Sequence, residues 1–388
     1  MTELKVDNIT NLAGSGKPNL PVQPTVGNNA AISTLNTHEY TSSGTAPSNP
    51  KNGALWWDSD NNNVNVYIDG GFKKIQLNTS AITSYIDWGG DRGFFLGGFR
   101  GGGSIENEID YFSISSTSNA QDFGDLTVAR YQGTAVGSNT RVCTAGGLNA
   151  GLNVIDYITT ATTGDATDFG DLGTGVYGLA GAGNGTRGLF FGGGGGGSSY
   201  NDFIQYITIA TTGNTSDFGD ISQDKRMGTA VANSTRAIHA GGLGSGTRFD
   251  EIEYVTIATT GNSTDFGDLH AKVEQLAGVS DATRGVFCGG INYDVSPAAN
   301  EDTMEYITIA TTGNAADFGN LTSVNYGIVG TSDGVTGIAA GGYNGTAYVN
   351  DIQKFTIQTL GNASVGMQLT TGGTGGKYAG MASSGNPA

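Results

Sequence analysis

The sequence predicts an all-β fold, a six-bladed β-propeller preceded by an extended arm and a small β-meander. Three observations lead there. The phrase Asp-Phe-Gly starts at Asp122, Asp168, Asp217, Asp265 and Asp317, in steps of 46, 49, 48 and 52 residues. A Gly-Gly pair keeps the same beat in six copies, opening at Gly97, Gly146, Gly192, Gly241, Gly289 and Gly341. Between the markers lies text rich in β-branched and aromatic residues, such as Ile155-Asp156-Tyr157-Ile158-Thr159. One repeat of this size cannot bury its own apolar faces, whereas six stacked in a ring can.

Residues 1–40 are polar, with Pro18, Pro21 and Pro24 among many Asn, Thr and Gly, and read as an extended anchoring arm. Residues 41–80 read as a small antiparallel meander with strands at 54–58, 64–68 and 72–75, joined by turns at 60–63 and 69–71. A sheet this small is marginal alone, so Trp56 and Trp57 are expected to pack against a partner.

Residues 81–388 hold the propeller. Each unit reads as four strands, in the second copy 133–137, 140–145, 155–159 and a fourth containing Asp-Phe-Gly-Asp. The period near fifty is that of kelch-like repeats. The third-to-fourth turn repeats as Thr-Thr-Gly-Asn at 211–214, 259–262 and 311–314, where Gly and Asn suit the positive φ of tight hairpins. Small residues in the first strand fit the crowded axis, and large aromatics fit the wider rim. In the repeated Asp-Phe-Gly, the Asp is expected to accept turn N–H groups and the Phe to fill the space between blades. Tyr111, Tyr157, Tyr206, Tyr254 and Tyr306 share one register; Lys354 takes that place in the sixth copy, which reads as degenerate there. The first copy begins at its second strand, and the missing first strand is matched at the far end: Lys377 to Ser384 parallels Arg130 to Ala135. The C-terminal strand is therefore expected to close the ring and remove its exposed edges, with Ser84 to Asp87 the competing candidate.

The net charge is −17, with 5 Lys/Arg against 6 Asp/Glu before residue 81 and 13 against 29 after it. So acidic a propeller repels phosphate backbones, so no nucleic-acid partner is expected. No stretch approaches eighteen apolar residues and the start lacks an apolar signal core, so neither membrane insertion nor a signal peptide is expected. Cys143 and Cys288 fall in opposite copies of the ring and read as buried thiols. Asp58-x-Asp60-x-Asn62 followed by Asp69 resembles a calcium loop, but Asn63 stands where glycine is needed and the closing Glu is missing. The run 192–197 lacks the Gly-Lys-Ser/Thr of a phosphate loop. His239 is placed in a strand slot that holds Leu96 or Ala340 in other copies, a core position. With no His/Cys/carboxylate cluster and no Ser/His/Asp arrangement, the reading is not an enzyme: no catalytic residues, no metal and no cofactor.

Function is sought where the copies differ. The connection after each Gly-Gly pair varies most, and it emerges on the same face as the equally variable links between blades; the opposite face carries the near-identical Thr-Thr-Gly-Asn turns. Diverse loops on a rigid frame are where recognition sits. The candidates for receptor binding are Phe99, Arg100, Tyr200, Asn201, Asp202, Arg248, Phe249, Tyr293, Asp294, Tyr343 and Asn344, a set suited to stacking on sugars and bonding hydroxyls.

The run from Tyr306 to Asn314, with Asp-Phe-Gly just after it, resembles the kelch-like repeats of structural proteins in tailed phages of marine bacteria. The opening Lys5-Val6-Asp7-Asn8-Ile9-Thr10-Asn11 and the stretch from Gly53 to Gly70 are similar to the starts of such virion proteins. The resemblance implies a virion surface component of the tail-fibre or adhesin kind. Its arm would dock on other virion proteins through Val6, Ile9, Trp56 and Trp57. Its propeller would face a host surface glycan or protein, and the chain would be a homo-oligomer on the particle. The alternative is a head or tail decoration protein whose propeller packs against neighbouring subunits.

Overall fold

The computed structural model describes the propeller over residues 90–148, 152–195, 199–370, 377–378 and 380–385, and short stretches between residues 25 and 74. The chain divides into two compact units, Met1–Ser84 and Tyr85–Ala388.

In the first unit, Leu55–Asp58, Asn63–Ile68 and Gly71–Lys74 form the antiparallel meander the alternating text predicts. A fourth strand, Tyr40–Ser43, adds to it in parallel with Leu55–Asp58. That strand was not foreseen, because Tyr-Thr-Ser-Ser shows no apolar alternation. Thr25–Val26 pairs with Ala30–Ala31. The rings of Trp56 and Tyr67 meet Phe72 edge-on, with centroids 5.3 and 5.2 Å away. Val6, Ile9 and the side chain of Trp57 lie outside the described residues, as do 1–24 of the arm and the 84–87 segment.

The second unit is a six-bladed propeller with no helix among its described residues. Blade 2 shows the plan: Thr134–Gly137, Arg141–Ala145, Val154–Thr159 and Thr167–Asp171, antiparallel from axis to rim. Blades 3 to 6 span 180–225, 229–268, 273–320 and 329–368. Blade 1 takes Arg92–Arg100, Ser104–Ser113 and Gln121–Asp125 from one end of the propeller and Met381–Gly385 from the other, with Met381 opposite Leu96. The C-terminal strand thus closes the ring in the expected slot.

The repeated words mark contacts between blades. Toward the rim, the Gly of the third-to-fourth turn in blades 2 to 6 donates its N–H to the Phe carbonyl of the preceding blade's Asp-Phe-Gly: Gly164 to Phe123, Gly213 to Phe169, Gly261 to Phe218, Gly313 to Phe266 and Gly361 to Phe318, at 2.7–2.9 Å. The turns' Asn214, Asn262, Asn314 and Asn362 accept the N–H of the residue after the phrase, as Asp165 does in blade 2. The Asn of the turn therefore does what was expected of the Asp of the phrase, while Asp122, Asp168, Asp217, Asp265 and Asp317 lie exposed. The Phe side chains are buried to 2–3% exposure and pack on the next blade, as Phe169 does on Ile207 and Ile209. Near the other face, the second Gly of each Gly-Gly pair donates to a carbonyl of the following link: Gly98 to Arg130, Gly147 to Val176, Gly193 to Lys225, Gly242 to Val273, Gly290 to Asn325 and Gly342 to Lys377, at 2.7–2.9 Å. These six bonds run right round the ring. The first Gly of the pair holds φ near +60°, which favours glycine.

A further clasp recurs on the Thr-Thr-Gly-Asn side. Arg92, Arg141, Arg187, Arg236 and Arg284 lie over Tyr111, Tyr157, Tyr206, Tyr254 and Tyr306, 4.2–4.8 Å from the ring centres. Each donates to a carbonyl of the next blade, at Thr160, Ile209, Ile257, Ile309 and Ile357. Blade 6 has Thr336 and Lys354 in these two places, and Lys354 Nζ reaches across to the Ile114 carbonyl of blade 1 at 2.6 Å. The sixth copy is therefore not degenerate there: the cation comes from the third strand instead of the second and serves the equivalent carbonyl. The phrase itself reads Val365-Gly366-Met367 in blade 6, and Met367 with Phe112, where blades 2 to 5 hold Ile or Val, fills that junction.

Candidate functional site

The connections from second to third strand and the links between blades share one face, as the four-stranded plan requires; the Thr-Thr-Gly-Asn turns occupy the other. On the variable face, blades 1 and 5 raise their second and third strands into hairpins, Arg92–Arg100 with Ser104–Ser113 and Arg284–Asn292 with Ala299–Thr308. Segments read from sequence as loops are thus strand extensions. The two hairpins flank blade 6.

Next to this blade runs a row of touching rings. Tyr326 meets Tyr343 at 5.5 Å, Tyr343 meets Tyr348 at 5.0 Å, Tyr348 meets Phe99 at 5.8 Å and Phe99 meets Tyr131 at 5.3 Å. The row crosses from blade 6 through blade 1 to the start of blade 2. Burial, then the neighbouring Tyr177 and Tyr348, raises the Tyr131 phenol above its ordinary value, so it is neutral at physiological pH. The rest of the face holds three cation–ring groups. Arg226 lies 4.9 Å from the Tyr177 ring and 4.8 Å from that of Tyr200. Arg248 lies 4.1 Å from the Tyr293 ring and 3.2 Å from Glu274, whose carboxylate also accepts the Tyr293 hydroxyl at 3.1 Å. Lys225 Nζ lies 4.8 Å from the Phe249 ring.

Of the eleven candidates, Phe99, Tyr200, Arg248, Phe249, Tyr293 and Tyr343 therefore join these aromatic groups. Asp202 is exposed on the third strand of blade 3, and Asp294 is exposed near Lys272. Three others are turned to the frame. Arg100 is 7% exposed and binds Glu108 at 2.6 Å. Asn201 donates to the Gly193 carbonyl at 2.9 Å. Asn344 accepts the Thr346 and Ala347 N–H groups of its own turn.

Beneath the face sits a buried polar layer. The link into each blade places a residue beside the middle of the third strand. In blades 1, 2 and 4 it is a cation matched to an acid: Lys377 to Asp110, Arg130 to Asp156 at 2.6 Å, and Lys225 to Glu253 at 2.7 Å. In blades 3 and 6 the residues in these two places are uncharged, Val176 and Gln205, Asn325 and Gln353, and the glutamines accept the link's Gly173 and Thr322 N–H groups instead, at 2.9 and 2.8 Å. Blade 5 has Val273, and there Glu305 pairs with His270 instead, at 2.9 Å; Glu301 is 3.1 Å from the other ring nitrogen. Hydrogen bonds to Glu301 and Glu305 raise His270 to about 10. His239 is buried beside Glu253 at 3.6 Å, and burial lowers its pKa. Its slot is one residue from that expected: it aligns with Phe95, Thr144, Phe190, Phe287 and Ala339, and belongs to the polar layer. Both cysteines are buried, unbridged thiols, and burial pushes Cys143 up to about 12. No group of His, Cys, Asp or Glu among the described residues is arranged to hold a metal ion.

At the centre, the first strands surround an axial channel whose mouth on the variable face is a cavity of about 120 Å³. It is entered past Gln132, Gly178, Met227, Gln275 and Gly327, one from each of blades 2 to 6, all with φ between +56° and +66°. Their peptides join neighbouring blades: Gly178 N–H to Gln132, Met227 to Gly178, Gln275 to Met227 and Gly327 to Gln275. The residues just before them are Tyr131, Tyr177, Arg226, Glu274 and Tyr326. Sequence reasoning missed this double ring. Its signal lies in the match of Arg130-Tyr131-Gln132-Gly133 with Lys377-Tyr378-Ala379-Gly380, which the other links share only in part. The whole assembly offers ring faces, amides and charges already paired within the frame. No protein-family model matches this chain, and no curated protein matches it.

Proposed function

We propose that this chain is a structural protein of a phage virion, a tail fibre or adhesin. It is attached to the particle through its N-terminal region and binds a host surface glycan or protein through the variable face. The observation that carries the reading is the five-ring row beside the raised hairpins, set on a frame whose other face repeats almost unchanged. Stacked Tyr and Phe faces suit sugar rings and apolar protein surface alike. The virion setting rests on the likeness of the repeat phrase and of the opening to tailed-phage structural proteins.

The test is adsorption of the purified full chain to host cells. Replacing Phe99, Tyr293 and Tyr343 together by Ala should cut adsorption about tenfold or more, as loss of interface anchors does, with the far-ultraviolet spectrum unchanged. Undiminished adsorption would remove the variable face from the reading. Gold-labelled antibody on intact particles shows whether the chain sits on tail or head.

One observation favours the decoration reading. Blade 6 exposes Val335, Leu360 and Val365 at 58, 55 and 46%, where the other copies hold polar residues such as Thr283, Thr260 and Asp265. Aliphatic groups so placed suit a neighbouring subunit. If Leu360→Asp prevents incorporation into particles while the variable-face variant does not affect adsorption, decoration is the function.

A further inference from the structure

We propose that Arg226 anchors a binding site for an acidic sugar on the variable face. Its guanidinium takes the carboxylate of a uronic or sialic acid, and the phenols of Tyr177 and Tyr200 meet the sugar hydroxyls. The inference rests on the binding reading of that face and narrows it to one ligand class and one place.

The first argument is charge. On and beneath the variable face, Arg100, Arg130, Lys225, Arg248, Lys272 and Lys377 each stand against an Asp or Glu. Arg226 forms no such ion pair among the described residues. Glu274 holds the matching position in the next link, but its carboxylate engages Arg248 at 3.2 Å and Tyr293 at 3.1 Å. Arg226 instead lies over the Tyr177 and Tyr200 rings, and its Nη1 donates to the Tyr177 hydroxyl. Its Nε is buried without a hydrogen-bond partner, and Nη2, also without one, is open to solvent. In a propeller with 13 Lys/Arg against 29 Asp/Glu, a cation with no acid is the exception.

The second argument is that the frame makes room for this side chain. The residue after the Gly-Gly pair is Phe99, Leu148, Leu243, Ile291 or Tyr343 in the other blades and Gly194 in blade 3. A β-carbon on Gly194 would stand 2.8 Å from Arg226 Cδ and 3.0 Å from its Nη1, with the Ser199 carbonyl next at 3.1 Å. The φ of Gly194 lies outside the left-handed region, so its own backbone does not call for glycine. The glycine goes with the arginine laid against it.

The third argument is chemistry. A guanidinium offers a planar fork of donors that matches a carboxylate. One cation balances one negative charge, and the acidic surroundings repel a ligand that carries more. Beside the fork stand two phenols with capacity to spare. The Tyr177 hydroxyl accepts from Arg226 and keeps its own proton to donate, and the Tyr200 hydroxyl makes no hydrogen bond among the described residues. A carboxylate with hydroxyls on the same small ring is the ligand that uses all three groups.

The test is ligand-detected nuclear magnetic resonance on the full chain. The probes are methyl glucuronide, methyl galacturonide and N-acetylneuraminic acid, each beside its uncharged methyl ester, with acetate and inorganic phosphate as bare anions. At least one acidic sugar should bind about tenfold or more tightly than its ester and than either bare anion. Arg226→Gln should weaken that binding about tenfold or more, equivalent to about 1.4 kcal/mol. Gly194→Leu keeps every polar group but fills the space that Arg226 occupies, and should weaken it likewise; it decides the matter if Arg226→Gln does not fold. No acidic sugar bound, esters or bare anions bound equally well, or a variant with an unchanged far-ultraviolet spectrum that binds as the natural chain does would each overturn the proposal. The outcome is separable from that of the wider reading. If no acidic sugar binds while the aromatic triple variant fails to adsorb to cells, the Arg226 site is wrong and the binding face stands. If an acidic sugar binds through Arg226 but the chain is found on no particle, the virion reading is wrong and the site stands.

Discussion

The two faces of the propeller join their blades by different means, and this explains why one repeats and the other varies. On the constant side each junction uses side chains: an Arg stacked on a Tyr, a Phe between sheets, an Asn capping the neighbour's strand. Each partner depends on the other, so the words recur together. On the variable side the bond that recurs at every junction is between peptide groups, from the second Gly of each pair to the carbonyl of the next link. A peptide bond is indifferent to the side chain it carries. The residues that follow can be Tyr131, Tyr177, Arg226, Glu274 or Tyr326 without breaking that bond.

The largest effect is expected where the constant junction is tightest. A β-carbon on Gly170 would stand 2.5 Å from the Gly213 carbonyl of the next blade, and φ there is +147°. Gly170→Ala should cost about 3 kcal/mol, from overpacking plus backbone strain, read from the urea midpoint. Gly213→Ala, with open space around its β-carbon, should cost less. Equal losses would mean that φ alone, and not the approach of two blades, fixes these glycines. Adsorption of the folded variant should be unchanged.

Much of this was legible in the sequence, because words forced by mutual contact repeat. The ring of six could be read from the markers, and its closure from the match of Lys377 to Ser384 with Arg130 to Ala135. The Arg clasp was equally visible, since an Arg stands five residues before five of the six Gly-Gly pairs. It was overlooked because an isolated Arg in a strand reads as surface. The mouth ring was hidden for a physical reason: Gln132, Met227 and Gln275 do not advertise a left-handed backbone as glycine does. The raised hairpins of blades 1 and 5 were hidden by polar text such as Asn300-Glu301-Asp302-Thr303, which pairs as strand only because its partner strand continues. Arg100 read as a binding residue because its acids, Glu106 and Glu108, come to it only through the hairpin register.

A smaller effect tests the exchange at the junction of blades 6 and 1. Lys354 is half-buried, and desolvation lowers its pKa although Asp91 and Asp333 oppose the shift. Its bond to the Ile114 carbonyl replaces the Arg bond of the other junctions. Lys354→Tyr alone should cost about 1 kcal/mol, the lower range for a charged hydrogen bond with partial exposure. Adding Thr336→Arg should recover most of it, since the pair then reads as in blades 2 to 5. A double variant no more stable than the single one would show that the clasp is not interchangeable between copies.

The smallest effect lies on the variable side, where one blade departs from the pairing of link and third strand. Blade 5 offers Val273 to Glu305, and His270, 38% exposed, supplies the cation from the same link. Its pKa is raised to about 10 in the folded chain by hydrogen bonds to Glu301 and Glu305, against about 6.5 unfolded. A raised folded value gives a contribution that is complete below the unfolded pKa and is lost as pH rises through the folded one. His270→Gln should therefore lower the thermal midpoint near pH 6, and the gap from the natural chain should close between about pH 6.5 and 10. Glu301 and Asn292 belong to the raised hairpin of blade 5, so the same rise in pH should loosen that wall and weaken adsorption in the natural chain more than in the variant. A gap that stays constant with pH would show that the imidazole acts by packing and carries no charge to the two acids.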